Sequence, residues 1–447
     1  MQKSGINASE IAVIGTSGHM NGCIPVDKDG NALYNNIIHS DSRSSKECSD
    51  ILKKVPADEY YDIAGNRVDP HYSFSKMLWI KNNYPQIYEK TAFFINSKDY
   101  ITSKLTGKVG ITDISDASLT ACMDIRKREW SKDLIVEMGL DIDKFPKLLK
   151  SYEIAGYLAE KPARLLGLKQ GIPVVAGGGD AACATRGAGV KKIGEAYSNI
   201  GSSSWISILN GSPIMDKDAR TLNFYDLGGE YCNGCGTVQC AAISYDWVVN
   251  NIASSEIQYA KENGLNAYDY IDSIAEKSPL GSNGVFFLPY LMGERTPLWD
   301  KNTKGGFIGF TLFNEKGDLI RAVYEGIAYA LRSVIDVFED NSVKLDRLAL
   351  VGGGAKSPFW NSIMCNIFRK PVYIHKYPRE ATSLGAAMAA GVGVGIFKDF
   401  ESAAGIVEYE RHYSVDAKKA EDYKKYYRIY KMMYPQLKPI FDEISEL

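Results

Sequence analysis

No charge of one sign dominates this chain, and no apolar run in it is long. Its 447 residues carry 52 Lys and Arg against 54 Asp and Glu, a net charge of −2. That balance argues against a surface built for nucleic acid or for an anionic membrane. The longest weakly polar run, Leu384 to Phe397, falls short of a membrane span and is made mostly of Ala and Gly. The opening Met1-Gln2-Lys3-Ser4-Gly5-Ile6 has neither an apolar core nor a small-residue cleavage site, so no signal peptide is expected and the chain reads as cytoplasmic. No short-period repeat is present. The eight cysteines are scattered rather than paired in a disulfide framework, as expected of reduced cytosolic thiols. What is there, 45% hydrophobic and 11% aromatic residues, is enough for two or three domains with ample cores and excludes wholesale disorder.

One cysteine group invites a zinc reading: Cys232-Asn233-Gly234-Cys235, with Cys240 five residues on. No fourth Cys or His ligand follows nearby, and Asn233-Gly234 between apolar runs predicts a hairpin turn instead. Short apolar runs ending in glycine turns predict buried strands at Ile11–Ile14 and Ile172–Ala176. Helices are predicted at Ser45–Lys54, Phe74–Asn83, Ser97–Thr106 (closed by Gly107) and Ala181–Ala188. Ala196–Leu209 reads as hairpin, and Tyr245–Glu276 as a helical stretch. The last third alternates helix and strand: Leu319–Phe338, Leu348–Val351, Pro358–Phe368, Val372–Ile374 and Thr382–Gly391. That alternation implies a parallel or mixed sheet covered by helices. In the tail, Tyr423, Tyr426, Tyr430 and Met433 make one helical stripe, expected to dock on the parent domain. The texture changes near Lys191–Gly194, which divides the chain into domains 1–192 and 193–447.

Three glycine-rich turns follow apolar strands or hairpins: Gly177–Asp180, Gly201-Ser202-Ser203-Ser204 and Gly352-Gly353-Gly354-Ala355. Glycine lets backbone N–H groups close on an anion, and a following helix adds its positive end. One such turn says little; three at strand ends point to a phosphate-bearing ligand. Ser357 and Pro358 suit the cap and first position of a helix, with Trp360, Ile363, Met364 and Ile367 on its apolar face. Gly354-Ala355-Lys356-Ser357 is not a Walker loop, since Ala355 stands where that motif needs glycine. Asp180, a carboxylate at the carboxyl end of a buried strand, sits where open α/β sheets place ligands; as an N-cap of the helix at Ala181 it has an ordinary role, and spacing leaves both open. Gly177–Ala182 also fits G-x-G-x-x-A, with Glu195 near the ribose-binding spacing, but the hairpin pattern from Ala196 contradicts a βαβ unit. His19, Met20 and Asn21, with Asp41 and Arg43, form a polar group near the start; Asp41 and Arg43 point to one side of an extended segment and can pair or bind hydroxyls.

In this order and spacing the motifs resemble the FGGY carbohydrate kinases, most of all their xylulokinase-like branch. The resemblance runs from Ile11 to the C-terminus. It rests on Ile14–Gly22, Asp41-Ser42-Arg43, Lys98-Asp99-Tyr100, Leu105-Thr106-Gly107 and Asp113–Ser118, then Pro173–Asp180, Gly201–Trp205, Pro289–Pro297, Glu325–Ala328, Gly352–Trp360 and Leu384–Ala387. It implies two actin-like, ribonuclease H-like α/β domains with an interdomain cleft, ATP and Mg²⁺, and a small sugar that receives phosphate on a primary hydroxyl. Asp180 matches the catalytic base. His19, Met20, Asn21, Asp41 and Arg43 match sugar-binding positions. Gly201, Ser202, Ser203, Gly305, Gly353, Gly354, Ala355 and Lys356 match nucleotide-binding positions. No metal ligand is assigned. The first domain is expected to be the sugar side and the second the nucleotide side.

The chain departs from the family pattern in four places. The family's Gln-Met-His-Gly is His19-Met20-Asn21-Gly22, the usual Trp before Asp-x-Arg is His39, and Ala181 follows Asp180 where Asn is common. All three lie on the sugar side and put xylulose itself in question, leaving a ketose or polyol. The fourth is the first phosphate loop, Asp-x-Gly-Thr-Thr, which occurs nowhere in the sequence. The first domain is therefore expected to be truncated at its N-terminus, with exposed sheet edges that invite a homodimer. The alternative expectation is a catalytically impaired relative that binds sugar or nucleotide without turnover.

Overall fold

The computed structural model describes residues 5–447, which pack as two compact units. The first runs to Ile193 and takes in Leu209–Gly234 and Glu380–Val407; the second holds Gly194–Ile208, Cys235–Arg379 and Glu408–Leu447. The chain first leaves the first unit after Ile193, and two later segments return to it. Buried polar groups explain one return: the Arg186 guanidinium pairs with the Asp226 carboxylate, and Asn223 donates to the Gly65 carbonyl and exchanges hydrogen bonds with Asn66. Helix packing explains the other, as the Ala381–Gly393 helix lies on the Asp180–Gly187 helix.

The strands of the first unit lying wholly before Ile193 pair two by two. Ser17–Gly18 runs parallel to Gly178–Gly179, Ile24–Val26 antiparallel to Phe93–Ile95, Ile111–Asp113 parallel to Lys147–Leu149, and Ile154–Tyr157 antiparallel to Pro173–Val175. The strand expected at Ile11–Ile14 is reduced to one bridge, Ile14 to Val174. Ile11 and Ile14 still pack on the core of Leu158, Ala163, Ile172 and Val174, so their apolar pattern reports burial rather than a ladder. The Ser45–Lys54 and Ser97–Thr106 helices form at the residues predicted, the second boxed by Asn96 and Asp99 and ended by left-handed Gly107.

In the second unit neighbouring strands stand in the order Ser204–Asn210, Glu195–Ile200, Arg347–Val351, Val372–His375, Tyr409–Tyr413. The inner pairs, Glu195–Ile200 with Arg347–Val351 and that strand with Val372–His375, are parallel; the outer pairs are antiparallel. The Lys316–Asp340 and Pro358–Phe368 helices connect and cover them. The helical stretch predicted over Tyr245–Glu276 is three helices, Ala242–Ile252, Ser254–Glu262 and Ala267–Lys277, broken at Gly264 (φ +67°) and restarted by the Asn266 cap. In the tail helix the buried tyrosines are Tyr423, Tyr427 and Tyr430, all against Tyr329; Tyr426 is only half-buried, beside Phe286. The docking stripe is thus i, i+4, i+7 rather than i, i+3, i+7.

Asn233-Gly234 makes no hairpin: both lie inside the Cys232–Val238 strand, and Asn233 is fully buried. The strand's partners outweigh the local turn preference. Its cysteines are buried, and burial pushes the Cys235 thiol up to about 12 and that of Cys240, just beyond the strand, to about 11. Among the described residues, no helix is long and apolar enough to cross a membrane.

Where the Ala381–Gly393 and Asp180–Gly187 helices cross, glycine is required by space. A Cβ on Gly187 would lie 1.7 Å from the Ala381 carbonyl oxygen, and one on Gly385 1.9 Å from that of Cys183. Gly385→Ala is expected to cost about 1–3 kcal/mol by overpacking, read as a lower midpoint in urea at unchanged m-value.

Candidate active site

In the first unit the Gly178–Gly179 strand delivers Asp180 as the first residue of its helix, with Gly179 as the N-cap. Asp180 is therefore not the cap considered from its sequence position. Its Oδ1 accepts the Ala181 N–H at 2.8 Å, and the Met20 backbone also hydrogen-bonds to it. Burial raises its pKa to about 6, against the pull of those N–H groups. The turn is held from behind: Gly179 N–H donates to Ser115 Oγ (3.0 Å), and Ser115 in turn donates to Asp113. Asp113 also accepts from Ser151 Oγ (2.6 Å) and pairs with Lys98 (2.8 Å). Lys98 is buried against three carboxylates, those of Asp99, Asp113 and Asp116, with Asn96 donating to Asp116 at 2.7 Å. Burial works against the Lys98 charge, but its acidic neighbours more than offset this and hold it protonated. Burial also pushes Asp116 well up, with Lys98 opposing and Asp99, Asp113 and Asp180 adding to the rise.

The other expected sugar-side residues fall into two sets. Met20 is buried, its side chain filling the space where a Cβ on Gly179 would lie 2.6 Å away. Asn21 takes φ +64°, and its Oδ1 is buried with no hydrogen-bond partner among the described residues. His19 is committed, its Nε2 at 3.2 Å from Asn36 and its Nδ1 at 3.2 Å from Ser97, with burial and Lys76 lowering its pKa. Asp41 and Arg43 lie farther out as an ion pair of 2.6 Å, the guanidinium 4.9 Å above the Trp79 ring. The Arg43 hydrogen bond outweighs partial burial and keeps the Asp41 carboxyl below its usual range.

Sequence reasoning missed Lys76. Its ammonium donates to the carbonyls of Asn21 (2.7 Å), Ile38 (2.8 Å) and His71 (2.7 Å), tying the Asn21 turn to the Ser73–Asn83 helix. Burial lowers it to about 8. The one signal for it is a lysine on the buried side of an otherwise apolar turn, Phe74-Ser75-Lys76-Met77-Leu78.

In the second unit two glycine loops meet. Gly201–Ser203 closes the hairpin, with Ser202 and Ser203 exposed. The Gly201 and Ser202 carbonyls accept N–H groups from Ala242 (2.9 Å), Ala241 (2.9 Å) and Ile243 (3.2 Å), at the start of the Ala242–Ile252 helix. Gly352 (φ +89°) and Gly354 pass so close to Ile200 that a Cβ would lie 2.7 Å from its carbonyl oxygen or 2.3 Å from its side chain. Gly353 between them is open, with nothing within 4 Å of a Cβ position. Two of the three glycines are thus packing requirements and one is an accessible backbone. Ala355 is buried and Lys356 exposed; Ser357 caps the Pro358–Phe368 helix as expected and donates to Asp272 at 2.6 Å. Gly305 is packed, a Cβ there lying 2.4 Å from Leu291. Glu195, the acid the dinucleotide pattern would require, is an ion-pair partner of Arg347 at 3.0 Å.

The FGGY family of carbohydrate kinases matches this chain twice, its N-terminal domain over residues 1–187 and its C-terminal domain over 196–394. The xylulose kinase of Bacillus subtilis (strain 168) is 31% identical over 440 residues, 98% of this chain and 85% of the relative. The chain belongs to the FGGY carbohydrate kinases. The gluconokinase of the same organism is 30% identical over 439 residues, 98% of this chain and 83% of the relative. Two solved structures from Lactobacillus acidophilus have a TM-score of 0.90 at 25% identity. They are a ligand-bound xylulose kinase (99% of this chain, 88% of that one) and a gluconate kinase (99% and 87%). This FGGY kinase is accordingly a phosphotransferase acting on a carbohydrate, with the two-domain actin-like fold of its relatives.

Removing the Lys98 charge would leave its carboxylates buried without their cation. Lys98→Met is expected to destabilise the kinase by about 3–5 kcal/mol, the usual cost of breaking a buried ion pair, measured by urea unfolding.

Proposed function

We propose that this kinase transfers the γ-phosphoryl group of ATP to a primary hydroxyl of a xylulose-like ketose or polyol, with Asp180 as general base. The observation that carries this reading is Asp180 itself. It is a carboxylate at the mouth of a glycine turn, beside Met20 and Asn21, with its pKa raised to about 6. A base poised near the working pH is mostly ionised at pH 7 yet basic enough to take the proton of the attacking hydroxyl. Magnesium comes as part of the nucleotide, held by its phosphates and waters, as that ion usually is. Gly201, Ser202 and Ser203 are assigned to the phosphates. Gly353, Gly354, Ala355 and Lys356 are assigned to the nucleoside, with Gly305 in support.

On the acceptor side the orphan Oδ1 of Asn21 offers an acceptor to a sugar hydroxyl, while Met20 supplies an apolar wall. The relatives include kinases named for xylulose and for gluconate. A neutral sugar is favoured here because the nearby cations are occupied: Arg43 is held by Asp41, and Lys76 by three carbonyls. A sugar acid would need a free one.

Sugar-dependent ADP release across pentuloses, hexuloses, polyols and gluconate tests the reading. Asp180→Asn should lower kcat by about 10²–10⁴ while leaving sugar affinity within a few-fold. In the unsubstituted enzyme kcat/KM should fall tenfold per pH unit below about 6, because the base is then protonated. An Asp180→Asn enzyme turning over at the normal rate would remove Asp180 from the role.

A further inference from the structure

Glu294 is the buried carboxyl for which the mechanism above has no use. It lies in the Pro289–Pro297 segment of the second unit, 5% exposed. Its Oε1 accepts two backbone N–H groups, from Gln239 and Arg295, each at 2.7 Å. Its Oε2 is buried with no partner among the described residues. The backbone around it is fixed as well: Glu294 and Asp300 exchange N–H···O bonds of 3.0 and 2.9 Å, and Thr296 donates to the Thr237 carbonyl at 3.1 Å.

The position of Gln239 gives these bonds their consequence. Glu294 and Thr296 grip Thr237 and Gln239, where the Cys232–Val238 strand ends. Two residues on, Ala241, Ala242 and Ile243 donate to the carbonyls of Gly201 and Ser202. A side chain more than ninety residues away in sequence is thus two short links from the Gly201–Ser203 turn. We propose that Glu294 is a positioning residue for the nucleotide phosphates, holding the Gln239–Ile243 segment against which the Gly201–Ser203 loop is set. The proposal rests on the assignment of that loop to phosphate.

Burial raises the Glu294 carboxyl to about 8, the Gln239 and Arg295 N–H groups opposing, so at neutral pH it is held as the uncharged acid. The titratable groups facing it are Arg295, Cys240, Tyr290 and Tyr430. Cys240 is raised to about 11, and both tyrosines are shifted well above their ordinary value by burial, so none of the three changes charge near pH 8. Losing the proton strengthens the bonds to the Gln239 and Arg295 N–H groups but leaves charge on an Oε2 with no partner among the described residues, so the segment must shift to let water reach it.

The test measures KM for ATP and for the sugar in the wild type, Glu294→Ala, Glu294→Gln and Gly201→Val. Glu294→Ala is expected to raise KM for ATP at least tenfold and leave the sugar KM within twofold. Glu294→Gln, isosteric with the neutral acid and able to accept the same two N–H groups, should match the wild type at pH 7. Wild-type KM for ATP should rise as pH passes through about 8, and Glu294→Gln should abolish that rise. A Glu294→Ala enzyme with unchanged KM for ATP, while Gly201→Val raises it, overturns the proposal. If Gly201→Val also has no effect, the phosphate-loop assignment fails and the proposal falls with it. If Glu294→Ala does not fold, the pH comparison decides: an alkaline rise that persists in Glu294→Gln refutes the role.

Discussion

Lys98 carries its ammonium into a region of the first unit with almost no access to solvent, where the carboxylates of Asp99, Asp113 and Asp116 meet it. Three acids around one base leave an excess of negative charge that a low-dielectric interior tolerates poorly, and the marked rise of Asp116 is the response. A cluster of this kind gives little net stability, but it is directional: Asp113 accepts from Lys98, Ser115 and Ser151, and Asp116 Oδ1 from Asn96. From Lys98 the chain of bonds runs through Asp113 to Ser115 and on to the Gly179 N–H, one residue before Asp180. The placement of Asp180, the proposed base, therefore depends on an ion cluster buried behind its turn. If the cation were lost, the carboxylates would repel, and the turn that depends on Ser115 would move with them.

The two loops of the second unit are organised by a different constraint. No charge holds Gly201–Ser203 or Gly352–Ala355; close backbone approach does. Gly352 and Gly354 lie against Ile200, the residue just before the Gly201 turn, so one loop cannot shift without the other. The carbonyls of Gly201 and Ser202 are already satisfied by the segment after Gln239, which leaves the Ser202 and Ser203 side chains facing solvent. If these loops take phosphate, as proposed, the site is preorganised, because little backbone has to be ordered when the anion arrives.

How much of this was legible in the sequence follows the range of the interactions. Ser97–Thr106 and Pro358–Phe368 are readable to the residue because a capping box, a serine cap and Pro at the first helical position act over a few neighbours. The Ile11–Ile14 strand and the Asn233-Gly234 turn were misread because distant packing overrode a sound local pattern. Of the site, Asp180, Asn21 and the glycine loops carried local signals. Lys76, Glu294 and the partnership of Lys98 with Asp113 did not. Their bonds run to residues 55, 55 and 15 positions away, and a lone Lys or Glu in a sequence carries no mark of its partner. The resemblance quoted Lys98, Asp113 and Glu294 as parts of motifs without saying what they do.

The acceptor side shows how a small change in residue type alters the chemistry a kinase can admit. Asn21 stands where the family commonly has His, and it takes a left-handed backbone conformation that Asn tolerates better than most residues. A neutral imidazole offers one donor and one acceptor whose places depend on its tautomer; the Asn carboxamide has both fixed. With the Asn21 backbone carbonyl held by Lys76, its side-chain oxygen is left as a buried acceptor with no donor among the described residues. A buried acceptor costs free energy until a donor reaches it; in the proposed reading a sugar hydroxyl is that donor, and a substrate lacking it is penalised. Asp180 is the other acceptor of the group, and it too gains from a hydroxyl donor. Under the proposed assignment, two acceptors flanking Met20, with the local cations already paired, favour hydroxyl groups over charge.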